Sequence, residues 1–158
     1  MERKALIFIT VGSQKFQFNR LLMAVDKLVA SGEVKDTVVA QIGYSDYEPK
    51  HYEYKQFLNR DEFAEMEGRA DIIITHGGTG AIIGAVKKGK KVVAVPRLAK
   101  YGEHVDDHQL QLIAQFTGSN LISSCENLDE LGQVLDEVKM KKFDHYQSNT
   151  DKYLKSIT

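Results

Sequence analysis

Gly77, Gly78 and Gly80 fall within four residues of one another, beside His76 and Thr79. They follow the apolar run Asp71-Ile-Ile-Ile-Thr75 and precede a stretch with apolar residues at helical spacing. A strand that enters a glycine turn and then a helix lets backbone approach a ligand closely, and the N–H groups at the helix start favour phosphate. For one glycine, a turn needed only for packing explains the residue equally well. Three in one turn, at the end of a strand, point to phosphate. Two common phosphate patterns do not fit. Gly84-Ala-Val-Lys-Lys-Gly-Lys90 resembles a P-loop, but Lys91 stands where Ser or Thr would hold magnesium, and the helix precedes the strand instead of following it. Gly78-Thr-Gly80-Ala-Ile-Ile-Gly84 has one residue too many for a dinucleotide fingerprint, and the next strand ends in Pro96-Arg97 with no ribose-binding carboxylate.

A second cluster is Glu103-His-Val-Asp-Asp-His-Gln109. His104 and His108 are four apart and would share a helix face, a spacing that suits a metal with Glu103 or Asp107 as third ligand. A charged helix start with acids beside the dipole explains the same residues without a metal. In a third reading, His108 and Gln109 offer donors and acceptors to a polyhydroxylated ligand. No metal is expected. Tyr44, Tyr47, Tyr52 and Tyr54 could line a sugar groove, although a half-exposed loop and strand account for them too. Arg97 and Lys100 could neutralise phosphate or be solvated loop charges. Ser45 lacks the context of a nucleophile, and Cys125 has no activating neighbour in sequence.

Strand and helix patterns alternate along the chain. Strands are predicted over 5–11, 37–42, 71–75, 91–95 and 120–122, with an extended segment over 52–58. Helices are predicted over 19–30, 61–68, 80–88, 107–116 and 127–138, with Asn19, Asp61 and Asp106 as N-caps and Gly32 and Gly89 as stops. This β-α-β-α order implies an α/β, Rossmann-like fold with a mainly parallel sheet and helices on both faces. Such sheets bind ligands outside the carboxyl ends of their strands. That rule selects three loops: 12–18, 76–80 and 96–109.

With 158 residues, the chain fits a single domain over 1–158, with 139–158 a basic tail or helix. The net charge of −1 gives no nucleic-acid footprint. One cysteine excludes an internal disulfide and suits a reducing compartment. No apolar run approaches the roughly 20 residues of a membrane span. A cytoplasmic protein is expected, brought to a membrane only by something else.

The ordered set of motifs carries a resemblance. His76-Gly-Gly-Thr-Gly80, the strand ending in Pro96-Arg97, and Asp107-His-Gln109 together resemble the C-terminal, donor-binding domain of GT-B glycosyltransferases, of the family 28 type. The group includes the UDP-GlcNAc transferase of lipid II synthesis and the small catalytic subunit of the dolichol-linked N-glycan enzyme. Phe8-Ile-Thr-Val-Gly-Ser-Gln-Lys-Phe16, Gln41-Ile-Gly-Tyr-Ser-Asp-Tyr47 and the run from Pro96 to Gln109 are most similar to small subunits of bacterial capsule and exopolysaccharide glycosyltransferases.

The resemblance implies that Gly12, Ser13, Gly77, Gly78 and Thr79 contact a diphosphate with His76 beside it. It implies that Asp107, His108 and Gln109 meet the donor sugar and that the segment around 60–63 lies near the base. The lipid II enzyme has a ribose-binding glutamate in the helix after its glycine turn, where this chain has Gly84; Glu103 is the candidate substitute. The implied activity is inverting transfer of a hexose from a UDP-sugar to a lipid-linked saccharide acceptor. The implied partner is a membrane-associated, acceptor-binding subunit at the inner face of the membrane, which supplies the general base; His108 is the candidate in this chain. Two alternatives stand beside it: a nucleotide-sugar-binding regulatory module, and another α/β enzyme acting on a phosphate ligand.

Overall fold

The computed structural model describes residues 5–11, 17–76, 79–96 and 107–144. In chain order the elements are β1 (Leu6–Thr10), α1 (Asn19–Ser31), β2 (Thr37–Gln41), β3 (Glu53–Lys55), α2 (Arg60–Arg69), β4 (Ile72–Thr75), α3 (Thr79–Lys87), β5 (Lys91–Ala94), α4 (Asp107–Gly118), β6 (Ser123–Ser124) and α5 (Leu131–Met140). A 3-10 turn, Leu128–Glu130, leads into α5. The six strands form one sheet in the order β3-β2-β1-β4-β5-β6, and every pairing is parallel. This is the doubly wound, Rossmann-like order, in which the chain runs outward from β1 in one direction and then from β4 in the other.

Side chains alternate across the strands, so each strand feeds two cores. Ile7 and Ile9 of β1, Ile72 and Ile74 of β4 and Val93 of β5 enter one buried cluster with Leu21, Leu22 and Val25 of α1 and Leu131 and Leu135 of α5. Phe8, Ile73, Val92 and Ala94 enter the other with Ile82 of α3 and Ile113 of α4. This two-sided burial explains why β4 and β5 read as unbroken apolar runs. Phe8 is fully buried and meets Phe63 of α2 edge to face, with centroids 5.4 Å apart.

Apolar runs do not by themselves fix register, since a one-residue slip leaves Ile72-Ile-Ile74 apolar on both faces. At the amino edge of the sheet Asp71 adds a side-chain bond that favours the observed register. Its N–H donates to the Leu6 carbonyl at 2.8 Å, and its Oδ2 accepts from the Leu6 N–H at 2.8 Å.

Three local expectations are corrected. Asn19 is the first residue of α1 rather than its cap; Phe18 holds that position, and the Gln17 side chain accepts from the Asn19 N–H at 2.8 Å. The cap of α2 is Asn59, not Asp61: Asn59 and Glu62 form a capping box in which the Asn59 side chain accepts from Glu62 N–H and the Glu62 side chain accepts from Asn59 N–H. The last strand begins later than 120–122. Asn120 adopts φ 57° and turns the chain after α4, with Leu121 N–H donating to the Phe116 carbonyl, so pairing with β5 starts at Ser123. Gly32 and Gly89 stop their helices as expected, at φ 84° and 74°. The expected cap Asp106 lies outside the described residues.

Candidate functional site

The order of strands reverses between β1 and β4. These two strands are adjacent and in register, and their last residues, Thr10 and Thr75, are partners. Beyond them the chain leaves toward opposite sides of the sheet, which opens a crevice at the carboxyl edge. Both threonines are buried, and His76, the next residue after β4, is only 6% exposed. The Thr75 carbonyl accepts from Val95 N–H at 2.8 Å, and Thr75 Oγ1 lies 3.4 Å from His76 Nδ1. His76 is therefore buried at the carboxyl end of β4.

Of the residues expected to bind ligand, Thr79 opens α3, and Asp107, His108 and Gln109 form the first turn of α4. Each helix follows a strand of the parallel sheet, so both begin at the same carboxyl edge as His76. Gly12, Ser13, Gly77, Gly78 and Glu103 lie outside the described residues, as do His104, Arg97 and Lys100. Gly80 is described, and a Cβ built on it meets no atom within 4 Å. Packing thus gives no reason for glycine at that position. At Gly84 the nearest atom to an added Cβ is Glu67 Oε2 at 4.0 Å, and Glu67 is paired with Lys88 at 2.7 Å.

The four tyrosines separate into two roles. Tyr47 donates its hydroxyl to Asp26, and Tyr52 donates to the Leu22 carbonyl at 2.9 Å, so both serve the fold. Tyr54 is on the edge strand β3. Tyr44 follows β2 and is 45% exposed; its ring meets Phe57, also exposed, edge to face at 5.2 Å. Backbone bonds from Ile42 N–H to Lys55 and from Gly43 N–H to Gln56 hold this aromatic pair at the carboxyl edge. The segment after β3 that precedes α2 therefore lies at the same edge as His76.

One buried acid was missed in the sequence. Asp26 on α1 is 3% exposed. Its carboxylate accepts from the Tyr47 hydroxyl and from the N–H groups of Lys50 and His51 at 2.9 Å each, and it lies 3.0 Å from the His51 ring. Burial pushes its pKa up, but the bonds from Tyr47, Lys50 and His51 outweigh that, and the net shift is downward. The same bond, together with burial, pushes the Tyr47 hydroxyl up to about 12. A legible signal existed: position 26 belongs to the apolar stripe of α1, and an acid there needs partners. Cys125 is buried, its thiol is pushed up to about 11 by burial and then by Glu130, and it donates to the Asn127 carbonyl. It is not a reactive thiol. Ser45 Oγ accepts from Phe18 N–H at 2.8 Å, a bond that serves the fold.

Residues 6–157 match the profile of the glycosyltransferase family 28 C-terminal domain. No curated protein matches the chain by sequence. Among solved structures, the chain is similar to the glycosyltransferase of kitacinnamycin (TM-score 0.68, 18% identity), covering 87% of this chain and 35% of that one. It is similar to MurG of Acinetobacter baumannii (TM-score 0.60, 21% identity; 88% and 42% covered). It is also similar to ALG13 (TM-score 0.57, 16% identity), with 93% of this chain and 90% of that chain covered. The chain thus spans about a third of the kitacinnamycin enzyme and nearly all of ALG13. At these identities the structural likeness is one of fold.

Proposed function

Because this chain belongs to the glycosyltransferase family 28 C-terminal domains, we propose that it is the donor-binding subunit of a two-component inverting glycosyltransferase that takes a hexose from a UDP-sugar. The observation that supports this reading is the family match over residues 6–157, on a parallel sheet in which β4 runs into a buried His76 and Thr79 opens the next helix. Gly12, Ser13, Gly77, Gly78 and Thr79 would cradle the diphosphate with backbone N–H groups, and Asp107, His108 and Gln109 would meet the sugar. Charge builds on the diphosphate as the acceptor hydroxyl attacks the anomeric carbon and UDP leaves. Fixed N–H donors at a helix start stabilise that charge without a metal.

A cleft formed by this half alone is open toward the acceptor. Water would compete for the activated sugar, and nothing would orient the attacking hydroxyl. We therefore assign the general base, the lipid-linked saccharide acceptor and attachment to the inner face of the membrane to a partner subunit, as in capsule or exopolysaccharide synthesis. The nearly full coverage of ALG13, against about a third of the kitacinnamycin enzyme, supports reading residues 1–158 as one domain of the size of a donor half. The test is calorimetry of the purified chain with UDP, followed by transfer assays with the subunit encoded beside it. UDP binding at millimolar ligand or better, about −4 kcal/mol, together with transfer only by the pair, is the expected result. No binding at that concentration would overturn the reading.

A further inference from the structure

We propose that Asn19 is a positioning residue for the donor, through the joint it makes between the loops that rim the crevice. The proposal rests on the UDP-sugar reading above. Asn19 opens α1 directly after residues 17 and 18, the described end of the 12–18 segment expected to rim the crevice. Asn is a preferred helix cap, yet it is the Gln17 side chain that accepts from the first N–H of α1, at 2.8 Å, while the Asn19 side chain turns to another loop. Instead Asn19 Oδ1 accepts from Asp46 N–H at 2.8 Å and Tyr47 N–H at 3.0 Å. The preceding residue returns the link, with Phe18 N–H donating to Ser45 Oγ at 2.8 Å. The following residue reaches the other way: Arg20 Nη2 donates to the Pro96 carbonyl at 3.1 Å, where the third rim loop leaves β5.

Three consecutive residues thus join the exit of the first rim loop to the loop after β2 and to the loop after β5. The loop after β2 is tied a second time by Asp26, which takes Tyr47, Lys50 and His51. A segment without helix or strand, residues 44–51, is in this way held at both ends against α1. The aromatic pair Tyr44–Phe57 is carried at its near end. A ligand gripped by backbone N–H groups is sensitive to displacements well under an ångström, so what fixes one rim loop against another sets affinity. Asn19 ties the end of the 12–18 segment to the loop after β2 with a single side-chain oxygen, and its neighbour Arg20 ties it to Pro96 after β5.

The experiment compares the full chain carrying Asn19→Ala, Ser45→Ala or Val138→Ala. Val138 is fully buried near the end of α5. The next residue, Lys139, pairs with Asp36 just before β2, so this end of the helix lies at the opposite edge of the sheet. Asn19→Ala is expected to weaken UDP affinity about tenfold, the scale set by two backbone donors losing their acceptor. It should also speed amide exchange at Asp46 and Tyr47. Ser45→Ala should do the same to a smaller degree. Val138→Ala should lower the melting temperature at least as much while leaving UDP affinity within twofold. The proposal is overturned if Asn19→Ala accelerates exchange at 46 and 47 yet binds UDP as the parent does, or if Val138→Ala loses as much affinity as Asn19→Ala. Failure of the parent chain to bind UDP is a different result, and it overturns the donor reading along with this one.

Discussion

Thr10 and Thr75 are partners in register at the carboxyl ends of neighbouring strands, and the chain leaves them toward opposite sides of the sheet. A ligand bound at the reversal, as proposed, would meet the residues that follow one strand and those that follow the other. Both are continued by glycine within two residues, at Gly12 and Gly77.

Only Gly77 and Gly78 separate His76 from the start of α3. Gly78→Val should abolish donor binding with the fold largely kept. A β-branched side chain blocks backbone approach to phosphate and resists positive φ. Circular dichroism with UDP calorimetry checks this: unchanged affinity would remove phosphate from the turn.

Asp26 should matter to stability out of proportion to its distance from the crevice. Removing its carboxylate leaves a buried hydroxyl and two backbone donors unpaired, so Asp26→Ala is expected to cost about 3 kcal/mol in denaturant unfolding. Tyr47→Phe removes one hydroxyl and should cost about 1 kcal/mol. A smaller loss for the first than for the second would mean the carboxylate is dispensable.

The same pair sets opposite pH limits. The folded pKa of Asp26 lies below its ordinary 3.8, so its contribution is present above that value and is lost as pH falls through the lower folded one. The Tyr47 pKa is raised from 10.0 to about 12, so its contribution is complete below 10 and is lost as pH rises toward 12. Ultraviolet titration of tyrosinate should show a hydroxyl ionising near 12 that disappears in Tyr47→Phe. An unaltered titration curve in that variant would contradict the assignment.

Much of this was readable from residue order. The alternation of apolar runs and helical patterns gave the parallel sheet, because strands covered on both faces leave an unbroken apolar signature such as Ile72-Ile-Ile74. The caps were harder. Asn19 and Asp61 have the right chemistry for a helix start, but tertiary partners drew Asn19 into a neighbouring loop and the Asn59–Glu62 box took the start of α2. Asp26 was missed because periodicity counts apolar positions and passes over the acid among them. The site reading rests on the glycines around His76 and on the carboxyl-edge rule; the structure adds that β4 runs into a buried His76 and that Thr79 opens α3.

Transfer by the assembled enzyme should survive excess EDTA. The expected phosphate site consists of backbone N–H groups, and among the described residues no cluster of acids, histidines or cysteines could hold a metal. Complete loss of activity that manganese restores would return His104 and His108 to consideration as ligands.

The tail should serve the partner more than the donor, but its first residues belong to the fold. Phe143 packs against the core and Asp144 N–H donates to the Asn120 carbonyl at 2.9 Å. Truncation after Asp144 is therefore the clean cut. It should weaken co-purification with the membrane subunit while UDP affinity stays within twofold. Equal loss of both would assign the tail to the donor site.

Asp71 stands at the far edge of the sheet from the crevice, yet it acts as an alignment pin for it. Its main-chain bond to Leu6 is one that any residue could make, but its carboxylate also accepts from the Leu6 N–H and so favours this offset between β1 and β4. Strands are stiff along their length, so an error of one notch at the pin would carry the glycine turn about 3.3 Å past its counterpart at the mouth. A substitution there would act as a machinist's tolerance fault does, leaving every part sound and the two halves of the grip out of line.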